Sequence, residues 1–130
     1  IHPSMVRAAF KFNGPERMVL ISDSLRAAGM PDDQYELGGQ PITKQGRYCR
    51  LIDGTIAGSV SNLMDCLRTA VLEMGIPLTT AVSCAASHPA KALGILDDYG
   101  TLETGKYADV VLLDADDLTV RQVIKHGRLL

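Results

Sequence analysis

The chain has 130 residues, 46% of them hydrophobic, which is enough to bury a core and excludes wholesale disorder. The length suits one domain or a piece of something larger and rules out a complete multi-domain enzyme. Lys and Arg number 13 against 15 Asp and Glu, for a formal net charge of −2, a balance that argues against nucleic acid or an anionic membrane as the main partner. No apolar run reaches the roughly 18 residues a membrane span needs. The opening IHPSMVRAAF lacks a basic stretch followed by an apolar block, so no signal peptide is expected. Because the first residue is Ile rather than Met, translation is expected to start elsewhere.

In chain order, Met5, Val6, Ala9 and Phe10 mark one face of a short helix. Pro3 and Ser4 suit its first turn, and Asn13-Gly14-Pro15 ends it. Residues 18–21 (MVLI) are apolar on both faces and predict a buried, parallel-type strand. A helix feeding a buried strand is the repeating unit of an α/β sheet or barrel. Residues 28–33 are a Gly-containing polar loop. Residues 35–37, 41–43 and 48–51, separated by Gly38-Gly39 and Gln45-Gly46, predict a small β-hairpin excursion over about 34–51. Asp53-Gly54 is a further turn, and TIAGS at 55–59 leads into a helix.

That helix carries the clearest period: Val60, Leu63, Met64, Leu67, Ala70, Val71 and Met74 recur at 3.6-residue spacing. Ser59 or Ser61 is the expected cap, Gly75 the end, and Pro77 blocks continuation. A core helix accounts for this stripe better than a cofactor-binding element. A second helix begins near Thr79 or Thr80, and a third, capped by Ser87, runs from Pro89 to Leu93 before Gly94. Residues 108–113 read as a strand. Residues 120–125, a His126-Gly127 turn and residues 128–130 form a second hairpin.

Cys49, Cys66 and Cys84 are odd in number and widely spaced, with no C-x-x-C pair. Buried inert thiols in a reducing cytoplasm are the natural reading. His2, His88 and His126 form neither H-x-H nor H-E-x-x-H, so His and Cys alone build no closed metal site. Asp97-Asp98 and the acidic run at 114–117 read as solvated turns. Asp23 lies at the C-terminal end of the predicted strand 18–22; on pattern alone, an Asp there more often caps a local N–H than performs chemistry.

Four blocks change that balance: ISDSLRAAGM at 21–30, DGTIAGS at 53–59, ASHPAKALG at 86–94 and GTLETGKYADVV at 100–111. The last resembles many amidohydrolases. YELGG at 35–39 together with DGTIAGS is narrower. In order and spacing, the four resemble the C-terminal portion of the N-acetylglucosamine-6-phosphate deacetylases of the amidohydrolase superfamily, over essentially the whole chain.

The resemblance implies an α/β fold: the C-terminal part of a metal-dependent (β/α)8 barrel, with the hairpin as an insertion and part of a small β-sandwich. Residues 1–99 would be the barrel segment and 100–130 the sandwich tail. A barrel of this kind needs about 250 residues, so only its final portion is present. The implied reaction is hydrolysis of the acetamide of N-acetyl-D-glucosamine 6-phosphate, giving glucosamine 6-phosphate and acetate. The implied cofactor is a divalent metal ion, zinc or iron, that lowers the pKa of a bound water and polarises the carbonyl.

Asp23 matches the family's catalytic carboxylate, which stands near the metal, takes the water's proton and delivers it to the leaving nitrogen. Ile56, Ala57 and Gly58 match a loop that contacts the amino-sugar phosphate; without the resemblance they read as a plain turn before a helix. The family's metal ligands, a Glu and two His, fall outside these residues. So do its substrate-holding His, which is not His2, and a phosphate-binding Arg supplied by a neighbouring subunit of a homodimer. Two rival readings remain: another amidohydrolase, such as a deaminase or cyclic-amide hydrolase, or a non-catalytic piece. The expected compartment is cytoplasmic.

Overall fold

A computed structural model describes all residues, Ile1–Leu130. In chain order the elements are α1 (Pro3–Asn13), β1 (Gln34–Leu37), β2 (Gln40–Gln45), β3 (Tyr48–Leu51), β4 (Ile56–Ser59), α2 (Leu63–Arg68), α3 (Leu78–Ala85), α4 (Ser87–Ala92), β5 (Val110–Leu113), β6 (Val120–Lys125) and β7 (Arg128–Leu129). A 3-10 turn, Pro15–Arg17, follows α1, and a π-helical turn, Thr69–Glu73, follows α2. The mixed α/β content agrees with the predicted class. No helix is long and apolar enough to cross a membrane. The chain divides into two compact units, Ile21–Cys66 and the pair of stretches Ile1–Leu20 and Leu67–Leu130.

The unit Ile21–Cys66 is built on one antiparallel sheet in the order β1-β2-β3-β4. The predicted hairpin is therefore a four-stranded meander, and residues 56–59 form its last strand rather than a loop. Gly38 and Gly39 take positive φ values of 57° and 82°, which lets the β1–β2 turn close in two residues. Ile42 and Lys44 share the inner face of β2. Ile42 joins Ala27, Cys49 and Val60 in the core, with Leu25, Tyr35, Leu51 and Ala57 packed around it. Lys44 lies opposite Cys49 and is also buried, but its ammonium escapes to Asp32 at 2.8 Å. That contact, with the Gly46 N–H at 2.8 Å, holds the Asp32 carboxyl below the ordinary carboxylate range.

The other unit is mainly helical, with a second small sheet. Helix α1 ends where expected, at Gly14. Residues 18–21 differ from prediction. They form no strand: Met18 is extended, Leu20 N–H donates to the Cys84 carbonyl at 2.9 Å, and no ladder forms. Ile21, at the head of the neighbouring unit, is 69% exposed rather than buried. A strand is completed by its neighbours' hydrogen bonds, which an apolar run does not supply. His88 Nδ1 lies 3.0 Å from the Met18 carbonyl, tying this segment to α4.

The long helix predicted over 60–74 is shorter and irregular. Asn62, not Ser59 or Ser61, caps it. Asn62 Oδ1 accepts from Asp65 N–H and Asp65 Oδ2 accepts from Asn62 N–H, both at 2.9 Å, a reciprocal capping box. Beyond Arg68 one extra residue enters the turn, and Met74 N–H donates to the Thr69 carbonyl at 3.0 Å. Helix α3 starts directly after Pro77, so Thr79 and Thr80 lie inside its first turn. Ser87 opens α4 instead of capping it, its hydroxyl donating back to Ser83 at 3.4 Å. The second hairpin is as predicted: β5, β6 and β7 pair antiparallel around His126-Gly127. Lys106, 13% exposed, donates to the Leu96 carbonyl and the Thr101 hydroxyl, each at 2.6 Å, fastening the loop before β5.

Candidate active site

Asp23 follows residues 18–22 and adopts φ 47°, one of three non-glycine residues with positive φ. For an L-residue this left-handed conformation costs roughly 1–2 kcal/mol, less for Asp and Asn than for most. Its side chain is exposed and forms no hydrogen bond or ion pair with the chain. A turn aspartate capping a local N–H would show such a bond, as Asp53 does with Thr55 N–H at 2.9 Å. That bond, and others from Thr55, hold the Asp53 carboxyl below its ordinary range. Asp23 thus combines backbone strain with an unused carboxylate, a pairing found where chemistry is done.

The next two residues explain how the strain is held. Ser24 forms a parallel bridge to Ser59, and Leu25 N–H donates to the Ser59 carbonyl at 2.8 Å. The Ser24 hydroxyl donates to the Ser61 carbonyl. Asp23 is thereby joined to the end of β4, the strand carrying Ile56, Ala57 and Gly58, so the two groups of predicted site residues meet.

On β4 the register shifts: Cys49 faces Gly58, while Arg50 faces Ile56. Ala57 is the extra residue of a β-bulge, a device that re-aims a strand and is common beside active sites. Gly58 has φ 156°, and a Cβ there would lie 3.0 Å from the Leu25 Cγ, Cδ1 and Cδ2 atoms. Glycine lets Leu25 lie against the strand. Ile56 is exposed; Ala57 and Gly58 are half-buried. Arg50 donates to the Gly54 carbonyl at 2.8 Å and stacks over Tyr48, bracing the turn before β4.

Sequence reading missed Ser24, Leu25 and the bulge. Ser24 and Leu25 stood inside a quoted block without a role, and only the register exposes a bulge. The two acidic runs behave as solvated turns; Asp114, for instance, accepts from Asp116 N–H at 2.9 Å and pairs with Arg121 at 2.6 Å. All three cysteines are free thiols. No three His, Cys, Asp or Glu side chains converge anywhere in the chain to hold a metal ion. These residues do not fit a metal centre by themselves.

The arrangement of helices and two small antiparallel sheets defines a mixed α/β chain. Its membership is narrower: the chain belongs to the amidohydrolase family, whose pattern matches residues 19–130. It is 37% identical over 115 residues to N-acetylglucosamine-6-phosphate deacetylase of Bacillus subtilis, covering 88% of this chain and 29% of that protein. It is 40% identical over 114 residues to N-acetylgalactosamine-6-phosphate deacetylase of Escherichia coli O157:H7, covering 88% and 30%.

Among solved structures, N-acetylglucosamine-6-phosphate deacetylase of Pasteurella multocida superposes with TM-score 0.92 at 25% identity, over 100% of this chain and 34% of that one. An aspartate-to-alanine variant of the Mycobacterium smegmatis enzyme, in complex with N-acetyl-D-glucosamine-6-phosphate, superposes with TM-score 0.87 at 37% identity, over 99% and 34%. The chain spans about three tenths of the length of these two curated relatives, the Bacillus subtilis and Escherichia coli O157:H7 proteins.

Proposed function

We propose that these residues are the C-terminal portion of an amino-sugar-phosphate deacetylase that hydrolyses N-acetyl-D-glucosamine 6-phosphate to D-glucosamine 6-phosphate and acetate. Residues 1–99 belong to a (β/α)8 barrel with the β1–β4 meander as its insertion, and 100–130 to a small β-sandwich. The observation that carries the reading is the strained, unpartnered Asp23 carboxylate, tied through Ser24 and Leu25 to Ile56, Ala57 and Gly58.

Amide hydrolysis needs a proton taken from the attacking water and a proton given to the departing nitrogen. One carboxylate in hydrogen-bond reach of both can do each in turn. In this reading Asp23 accepts the water proton as the C–O bond forms, then passes it to the nitrogen as the C–N bond breaks. The exposed edge at Ile56 and the backbone of Ala57 and Gly58 contact the sugar phosphate. The amidohydrolase family generally uses a divalent metal; since the residues present do not form such a centre, its ligands belong to chain outside them. The 130 residues alone are therefore inactive. The complete protein is a cytoplasmic homodimer.

The 40% identity to the N-acetylgalactosamine-6-phosphate enzyme favours a second reading, in which the C4 epimer is the substrate. The experiment is acetate release by the longest translated chain containing these residues, purified with its metal, on both sugar phosphates and their unphosphorylated forms. Turnover of N-acetyl-D-glucosamine 6-phosphate, with Asp23→Asn slower by about 10²-fold or more, is expected. No acetate from any of them would refute deacetylation, and preference for the epimer would establish the second reading.

A further inference from the structure

We propose that Ser24 and Leu25 are positioning residues that lock the Asp23 carboxylate to strand β4, so that proton transfer and sugar contact share one fixed geometry; this rests on the role given to Asp23 above. Three attachments support it, and they act at different points. Leu25 N–H holds the Ser59 carbonyl at 2.8 Å. The Ser24 hydroxyl reaches past that point to the Ser61 carbonyl. The Leu25 side chain lies against Gly58, where a Cβ would stand 3.0 Å from three of its carbons.

One hydrogen bond would leave the segment free to pivot about it; two bonds to carbonyls two residues apart do not. Asp23 immediately precedes this double attachment and holds φ 47°. Left to itself, an L-residue relaxes to negative φ, which swings the carboxylate away from its approach to the amide. The Ser24 hydroxyl proton is committed to the Ser61 carbonyl. Ser61 is itself held, its N–H donating to Ser59 Oγ at 3.2 Å, so the far end of the clamp is anchored.

The two residues then have different signatures. Ser24 acts only through Asp23 and should affect kcat. Leu25 touches both the Asp23 segment and Gly58, so it should affect kcat and KM together.

The test uses the longest translated chain containing these residues, with metal bound and thermal midpoints recorded for every variant. Ser24→Ala is expected to lower kcat about tenfold, as small misplacement of a catalytic group does, with KM within about twofold. Ser24→Thr, which keeps the hydroxyl, should restore kcat. Leu25→Ala should lower kcat and raise KM, while Leu25→Met stays near wild type. Ser24→Ala with unchanged kcat, or Ser24→Thr no better than Ser24→Ala, overturns the clamp. Asp23→Asn separates the two claims. An inactive Asp23→Asn beside a fully active Ser24→Ala sinks the clamp alone, and an active Asp23→Asn sinks both.

Discussion

Substitution of Gly58 by Ala measures the coupling between β4 and the segment that carries Asp23. A new Cβ would stand 3.0 Å from Leu25 Cγ, Cδ1 and Cδ2. Carbon pairs settle at roughly 3.5–4.0 Å, so these contacts fall about 0.5–1 Å inside. Crowding of this kind costs about 1–3 kcal/mol. Holding an L-residue at φ 156° adds backbone strain of order 1 kcal/mol or more. The whole cost is therefore about 2–4 kcal/mol. Gly29 is the control: its φ is 75° and nothing lies within 4 Å of a Cβ there, so Gly29→Ala carries only the backbone cost, about 1–2 kcal/mol.

The assay is native-state hydrogen exchange, which reads stability locally, amide by amide. The reporters are the Leu25 amide, bonded to Ser59, and the Leu51 amide, bonded to Thr55 at 2.9 Å. Gly58→Ala should speed both, and Gly29→Ala should affect them less. Leu25→Ala removes the crowding carbons, so in the double variant the two costs should fall short of their sum by about 1 kcal/mol or more. Equal effects at Gly58 and Gly29, or strict additivity with Leu25→Ala, would refute the argument that Leu25 packing requires a glycine.

Three further outcomes are expected. The Lys125 ammonium and the His126 N–H beside Asp109 hold its carboxyl below the ordinary value of 3.8; because the folded value is depressed, its stabilisation is present above the unfolded value and lost as pH falls below it. Asp109→Asn should flatten the loss of thermal stability below about pH 4, and an unchanged acid slope would count against this pairing. Lys106→Met leaves the Leu96 carbonyl and Thr101 hydroxyl without their donor and should cost about 1–3 kcal/mol in denaturant unfolding; a neutral result would mean water replaces the ammonium. Burial pushes the Cys84 and Cys66 thiols up. At neutral pH a thiol reagent should label Cys66 slowly and Cys84 only on unfolding, and rapid labelling of Cys84 would contradict its burial.

Features decided by neighbouring residues in the sequence were legible in it. Pro3, Ser4 and Gly14 bracket α1, and His126-Gly127 turns β6 into β7, because helix ends and tight turns need particular residue types within a few positions. Features decided by partners far along the chain were not. Residues 18–21 have strand composition, yet strand formation depends on what pairs with them. Residues 56–59 read as a loop because their Gly-Ser ending hides a ladder with β3 that only register reveals. Asn62 outcompeted Ser59 and Ser61 as helix cap because Asp65, three residues on, answers it reciprocally, and Ser59 was already committed to β4. Asp23 was identified by resemblance; its φ and its unpartnered carboxylate distinguish it from the turn aspartates of similar composition.

The meander explains how the two segments that carry the candidate site residues, far apart in sequence, come to adjoin. After Asp23 the chain passes through β1, β2, β3 and β4, reversing direction at each turn, and hydrogen-bonds at Ser59 to the residues it left. The excursion has its own core of Ala27, Ile42, Cys49 and Val60, so its closing end is held by packing as well as by hydrogen bonds. Loop closure depends only weakly on length, each doubling costing about 0.6 kcal/mol. The geometry at Asp23 should therefore tolerate changes at the Gly38-Gly39 tip, where nothing lies within 4 Å of an added Cβ, and should be sensitive at Gly58, where Leu25 is already in contact. A two-residue insertion at the tip that abolished turnover while the fold persisted would show that the meander does more than bring β4 back to Asp23.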